Sequence, residues 1–433
     1  MGLMAVTTTS PTASPTPSAS ALPIARSWKA PIWLAVFAVV AVVAFAVGAP
    51  VGETSTFGLS LPGDDVQLSP ITVTTTTATW TLALICAAIV AFSAVLSYQR
   101  RPTPIWALAL FGVAWVLAFL VWAVSGASIS LTGLLAGSLL LAVPIAFGAQ
   151  SGVLCERAGV INIAIEGHLL AGAFGAAVVA SLTGSLWLGL AAAPLFGLLV
   201  ALLLVLFAIR YFVDQIIVGV VLNVLVIGLT GFLFSQVLSK NQSEWNTPGT
   251  FQPIKIPLLG DIPVIGPVFF NQSVIVYLLY VVVAVLQVAL FRSRWGLRVR
   301  AVGEHPEAAD TVGIKVNMVR TRNVLIAGAV AGLGGAFFTL GAVGAFGKEM
   351  TAGKGFIALA AMIFGRYSPV GAVFAALLFG FADNLQNVLT IVGAPVPSEF
   401  MLMAPYLVTI FAVAGLVGRV RVPAADGQPY IKS

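Results

Sequence analysis

The sequence predicts an all-α, polytopic transmembrane helical bundle, and three observations predict it. The 433 residues are 59% hydrophobic and only 8% charged, where a soluble domain carries roughly 25% charged residues. Mean hydropathy is +1.05, and apolar runs near the ~20 residues needed to cross a bilayer recur along the chain. Lys and Arg gather in alternate connecting segments. A soluble core is therefore excluded. The net charge of +6 does not point to nucleic acid, because the basic residues lie in short loops between spans.

The first 25 residues, rich in Ser, Thr, Pro and Ala, read as disordered, and the tail is set at 1–30. The apolar run that begins at Pro31 has no small-residue cleavage site behind it, so it reads as an uncleaved first span and not as a signal peptide. Spans are expected at 31–48, 78–97, 105–124, 134–147, 166–182, 186–207, 215–236, 273–291, 323–345, 355–364, 370–387 and 400–417. Two of the twelve, 134–147 and 355–364, are short, which suits tilted, broken or re-entrant segments. With the N-terminus inside, the outside segments hold only Lys240, Lys255, Lys348 and Lys354 of the 21 Lys and Arg, leaving 17 inside. The positive-inside rule then puts both termini in the cytoplasm. The long outside segment 237–272, rich in Pro, Gly and Asn, suits a docking surface for an outside partner. A second outside segment, 49–69, holds Glu53, Asp64 and Asp65. Cys86 is expected in a span and Cys155 in a cytoplasmic turn, too far apart for a disulfide framework.

The densest charge lies in the inside loop 292–322. Its middle is punctuated as a short helix, with Pro306 at the first position, Glu307 in the first turn and Gly313 to stop it. Such a helix in a basic loop points to a soluble cytoplasmic partner. A second dense motif runs from Ser151 to His168, SGVLCERAGVINIAIEGH. Within it Glu156 and Arg157 suit an ion pair at the membrane face. Asn162 and Glu166 are four apart and would share one side of a helix. A carboxylate in a span is costly unless paired or facing water. Glu166 therefore reads either as part of a broken helix lining a path or as a hydrated helix-end anchor, and both stay open.

Further polar groups fall inside spans at Asn223, Gln287 and the run Asp383-Asn384-Leu385-Gln386-Asn387. Their amides suit a neutral polar ligand or hydrogen bonds between helices. Gly328 and Gly332 make a small-xxx-small face for close helix packing. Gly347-Lys348-Glu349 and Gly353-Lys354-Gly355 lack the Ser or Thr and the upstream Gly of a phosphate-cradling loop. The two histidines, His168 and His305, stand in different segments, without metal-ligand spacing. The chain is thus expected to be a transport subunit, not an enzyme, with no cofactor of its own. An ion-coupled transporter would need a buried ion site at broken helices, and no two charged residues are expected to meet at the midplane. A membrane enzyme would need a convergent catalytic cluster.

These blocks resemble the permease subunits of bacterial ABC importers for simple sugars, branched-chain amino acids and nucleosides, and in particular the nucleoside branch. ERAGVINIAIEGH from Glu156 is similar to that family's ER-GVVNIGLEG signature. DQIIVGVVLN from Asp214, DIPVIGPVFF from Asp261 and GLRVRAVGEHPEAADTVGI from Gly296 follow. GKGFIALAAMIFGRYSPVGA from Gly353, MLMAPY from Met401 and PYIK from Pro429 complete the set. The likeness covers roughly Leu134 to the C-terminus. Position 168 is His where the family more often has Met or Leu, and position 164 is Ala where Gly is usual.

The resemblance implies a type II-like importer fold of about ten core spans over 131–420, with extra spans over 31–130 and a cytoplasmic tail at 421–433. It implies import across the bacterial cytoplasmic (inner) membrane, with ATP and Mg held by a separate ATPase subunit. It also implies a second permease, a related but different chain, and an extracytoplasmic substrate-binding lipoprotein. Glu304, His305, Pro306, Ala308, Ala309, Asp310 and Gly313 would couple to the ATPase, with small Ala308 and Ala309 letting the helix sit in a cleft. Asn162, Glu166, Asn223, Asp383 and Asn384 are the candidates for the translocation path.

Overall fold

A computed structural model describes residues 27–394, 403 and 421–432. The chain divides into two compact units, Met1–Glu53 with Val73–Ser125, and Thr54–Thr72 with Gly126–Ser433. Among the described residues ten helices are long and apolar enough to cross a membrane. The expected span at 400–417 lies outside the described residues.

The first unit holds α1 (Lys29–Val47), α2 (Thr75–Tyr98) and α3 (Ile105–Ala123). Small residues line its interior, among them Ala41, Ala83, Cys86, Ala107 and Ala118. Phe45 fills the space between, with its ring 5.2 Å from that of Trp115 and 5.5 Å from that of Trp122. The Trp115 indole N–H is satisfied by the Phe37 carbonyl at 2.9 Å, as a buried indole requires.

The second unit holds α4 (Leu131–Glu156), α5 (Ile165–Thr183), α6 (Leu186–Arg210), α7 (Gln215–Leu238) and α8 (Val274–Arg292). Two short helices follow, α9 (Arg294–Glu304) and α10 (Pro306–Thr311). Then come α11 (Val316–Val343), the eleven-residue α12 (Lys354–Phe364) and α13 (Pro369–Val392). Local signals set the ends. Ser130 Oγ accepts from Gly133 N at 2.9 Å to open α4, and Asp214 Oδ1 accepts from the Ile216 and Ile217 amides at 2.9 and 3.0 Å to open α7. The expectation of a short span at 134–147 is corrected. Leu131–Glu156 is a 26-residue helix that carries Pro144 inside it and runs on past Phe147. Cys155 accordingly lies buried in that helix and not in a turn.

Close approach of α5, α6 and α11 forms the core. A methyl group at Gly335 would lie 2.0 Å from the Leu169 carbonyl oxygen, and one at Gly172 2.3 Å from that of Gly332. Gly197 on α6 would meet the Gly328 oxygen at 2.1 Å. Without side chains at these crossings the backbones touch, which is how membrane helices gain contact without a hydrophobic driving force.

The loop 237–272 is ordered. Ile254–Lys255 pairs antiparallel with Asn271–Gln272. Lys255 forms ion pairs with Asp65 and, at 2.5 Å, with Asp261. Asp261 and Asp65 hold the lysine above its ordinary pKa, and the lysine holds Asp261 below its own.

Candidate functional site

The site is built on a broken helix. α4 ends at Glu156, the chain turns through Gly159 (φ +80°) and runs without helix until α5 begins at Ile165. The left-handed backbone at 159 is one that only glycine adopts without strain. This break puts Glu166 in the first turn of α5, buried to 4% exposure. Its carboxylate is fully engaged. Oε1 accepts from Thr351 Oγ1 at 2.7 Å and Gly353 N at 2.8 Å, and Oε2 accepts from Gly355 N at 2.6 Å. Two of these donors are amides at the start of α12, where an anion is favoured by the helix dipole. A methyl group at Gly355 would lie 2.4 Å from Glu166 N, so the approach requires glycine. The hydrated-anchor reading of Glu166 is thereby corrected, because the carboxylate brackets α12 to α5 out of contact with bulk water.

Lys354 stands between those two glycines and pairs with Asp383 on α13. The sequence alone puts Lys354 in an outside segment and Asp383 in a span, with nothing to pair them. α13 runs antiparallel to α4: Gln150 Nε2 donates to the Pro369 carbonyl at 3.0 Å, and Asn384 Nδ2 donates to that of Leu134 at 2.7 Å. At 1.5 Å per residue, Asp383 sits about 21 Å from the start of α13 and about 14 Å from its end. Asn384, the next residue, meets the first turn of α4 at Leu134, so the pair lies partway along α13 and level with the start of α4. Its side chains remain 17% and 26% exposed. Charged groups on a spanning helix face water or protein, not lipid.

The remaining path candidates are used on backbone or buried. Asn223 Oδ1 accepts from Gly167 N at 2.8 Å and its Nδ2 donates to the Ile163 carbonyl at 2.9 Å, tying α7 across the break. Asn162 lies in the non-helical stretch, so it does not share a helix face with Glu166. Its Nδ2 donates to Ser151 Oγ at 3.3 Å. His168 is buried against α11, with Nδ1 2.5 Å from the Ala164 carbonyl oxygen. Glu156 and Arg157 also part company. Arg157 Nε donates to the Tyr367 carbonyl at 2.9 Å, while Glu156 turns inward towards Asp426. Burial, followed by the neighbouring Arg300, lowers the Arg157 pKa.

In the loop 292–322, α10 begins at Pro306 and Gly313 follows it with φ +85°, as the punctuation predicts. His305, Glu307, Ala308, Val312 and Gly313 face outward, and Val312 is 75% exposed. Ala309 instead turns inward, against Val302, Val316 and Tyr430. Only Ala308 of the two alanines can therefore contact another chain closely. Glu304 accepts from the Ala424 amide at 3.4 Å, and Asp310 pairs with Lys432 at 3.4 Å.

Sequence reasoning missed Lys354, Thr351 and the Gly353–Gly355 amides. The available signal was a lysine flanked by glycines at the head of an apolar segment too short to span.

A multi-pass helical bundle with a broken helix and a partly exposed ion pair between α12 and α13 has the build of a membrane permease. Residues 134–413 match the family described as branched-chain amino acid transport system / permease component, and the chain belongs to that family. It is a transport subunit, not an ATPase, and permeases of this ABC type act with a partner ATPase. The guanosine ABC transporter permease protein NupQ of Bacillus subtilis is 40% identical over 304 residues, 68% of this chain and 95% of that one. The nucleoside ABC transporter permease protein NupC of Lactococcus lactis is 39% identical over 69% of this chain and 97% of its own. The putative glucose ABC transporter permease protein TsgC13 of Haloferax volcanii is 35% identical over 59% and 77%. No solved structure matches the chain.

Proposed function

We propose that this chain is the membrane-spanning subunit of an ABC importer that carries nucleosides across the bacterial cytoplasmic membrane. The observation that carries the reading is the Lys354–Asp383 pair with Asn384 beside it, a polar and partly exposed cluster between α12, α13 and the start of α4. Opposite charges in contact leave little net charge, and the amide adds donors and acceptors, a combination suited to an uncharged polar solute. Two relatives named for guanosine and nucleosides, each covered over nearly its whole length, support nucleosides as that solute. The relative named for glucose supports a sugar as the second reading.

ATP and Mg belong to the partner ATPase. The outward face of α10, with His305, Ala308, Val312 and Gly313, docks on it, while Pro306 starts the helix and Glu304 and Asp310 hold it in place. A second permease, related but different, completes the membrane part, and an outside lipoprotein delivers the solute. Both termini lie in the cytoplasm. Asn162, Glu166 and Asn223 support the path from behind by fixing the break and α12. The ion-coupled alternative gains a charged pair from the structure, but that pair is already internally compensated.

The test is uptake by the reconstituted importer. Lys354→Met alone leaves the Asp383 carboxylate without its partner between the helices, so assembly and guanosine uptake both fall. Combining it with Asp383→Leu restores assembly, because no unpaired charge remains, yet uptake stays at least about tenfold below wild type. Wild-type uptake by the double variant would make the pair a packing feature and remove it from the path. ATP-dependent uptake of labelled glucose, with none of labelled guanosine, would establish the sugar reading instead.

A further inference from the structure

The C-terminal residues 421–432 lie in a junction between three parts of the second unit. The Ala425 amide donates to the Gly303 carbonyl at the end of α9, at 2.9 Å. Arg320, near the start of α11, donates through Nη1 to the Gln428 carbonyl at 2.7 Å and through Nη2 to that of Ala425 at 3.4 Å. The Tyr430 ring, 9% exposed, seats against Val302, Ala309 and Val316. Lys432 pairs with Asp310, one residue beyond Ala309. The same segment reaches the α4–α5 break. A methyl group at Gly427 would lie 2.7 Å from Ile161 Cδ1, and one at Gly159 would lie 3.0 Å from the Ala425 carbonyl oxygen. Gly303 closes the third side, since a methyl group there would meet the Arg157 carbonyl oxygen at 2.3 Å.

These contacts have a mechanical consequence. α10 is only six residues long and is too short to hold its own position. The tail fastens it from behind through Tyr430 and Lys432, and fastens the break through Ala425 and Gly427. The break leads within a few residues to Glu166, which brackets α12 and hence Lys354. A push on α10 therefore has a packed route to the polar face of the span.

We infer that the C-terminal tail is a positioning strap that links α10 to the α4–α5 break, so that ATP-driven movement of α10 reaches the translocation path only while the tail is seated. The inference rests on the proposed docking of α10 on the ATPase. Tyr430 is the anchor whose loss releases the strap: its ring packs against Val302, Ala309 and Val316, and its hydroxyl adds a hydrogen bond to Asp310.

The experiment compares three variants in the full importer, reconstituted with its ATPase. Three quantities are read: co-purified ATPase, ATP hydrolysis and guanosine uptake per ATP. Tyr430→Ala is expected to retain the ATPase and hydrolysis while uptake per ATP falls at least about tenfold, the change that about 1.4 kcal/mol makes in an equilibrium. Tyr430→Phe, which keeps the ring and loses only the hydroxyl bond to Asp310, is expected to restore most of the ratio. Ala308→Arg, on the outward face, is expected to lose the ATPase altogether. If Ala308→Arg behaves so while Tyr430→Ala transports at the wild-type ratio, the strap is overturned and the docking reading stands. If Ala308→Arg keeps both ATPase and full uptake, the docking reading falls and the strap with it. Loss of the ATPase or of the chain itself in Tyr430→Ala would make the tail a folding element only, which also overturns the inference.

Discussion

Asn223 accepts from the Gly167 amide and donates to the Ile163 carbonyl, so one side chain satisfies two backbone groups left open where the helix breaks. Replacing it by Leu keeps the volume and removes both partners. Each buried group left unpaired costs roughly 1–3 kcal/mol, and the surrounding bilayer offers no water in exchange. Asn223→Leu is therefore expected to lower the thermal midpoint and yield of the purified chain before any change in selectivity is seen. Unchanged stability with altered uptake kinetics would return Asn223 to the path. That residue shows how far single positions were legible: a polar side chain in a span announces that it has a partner but does not say which. Glu166 is similar, with its donors at Thr351, Gly353 and Gly355 lying 185 to 189 residues further along.

Among the elements, the tail carries a titratable group against the bundle. Asp426 lies beside Glu156 and Arg320. Burial pushes its pKa up from 3.8 to about 6, against the opposing pull of the Glu156 contact, the Gly427 amide and Arg320. A seated tail thus binds more protons than a released one between those two values, so seating strengthens as pH falls from about 6 to about 4 and carries the full penalty near neutrality. Hydrogen exchange at the Ala425 amide, corrected for intrinsic rates, is expected to slow over that range. Asp426→Asn should flatten the profile and raise protection at neutral pH. A flat wild-type profile would mean that the carboxyl titrates in water. The short helix α10 was readable from Pro306 and Gly313 because those signals are local. Its inner face was not, because Ala309 and Ala308 are chemically identical and only packing against Val302, Val316 and Tyr430 distinguishes them.

The second unit is held together by backbone contact among α5, α6 and α11, which makes the bundle intolerant of even one added carbon. Gly335→Ala would place a methyl 2.0 Å from the Leu169 oxygen, whereas at Gly228 nothing lies within 4 Å. Gly335→Ala is expected to abolish recovery of folded protein from detergent, and Gly228→Ala to leave its melting behaviour unchanged. Equal stability of the two variants would remove close packing as the basis of the fold.

Read alone, the sequence determined the membrane class, most of the spans, the family likeness and the punctuation of α10, because apolar run length, capping residues and loop motifs are properties of neighbouring residues. Tertiary structure decided that Glu166 brackets α12, that Lys354 meets Asp383, and that residues 421–432 touch both α10 and the helix break. Those pairings join segments far apart in the chain, and they exist because glycine crossings let backbones approach closely enough for buried charges to find donors.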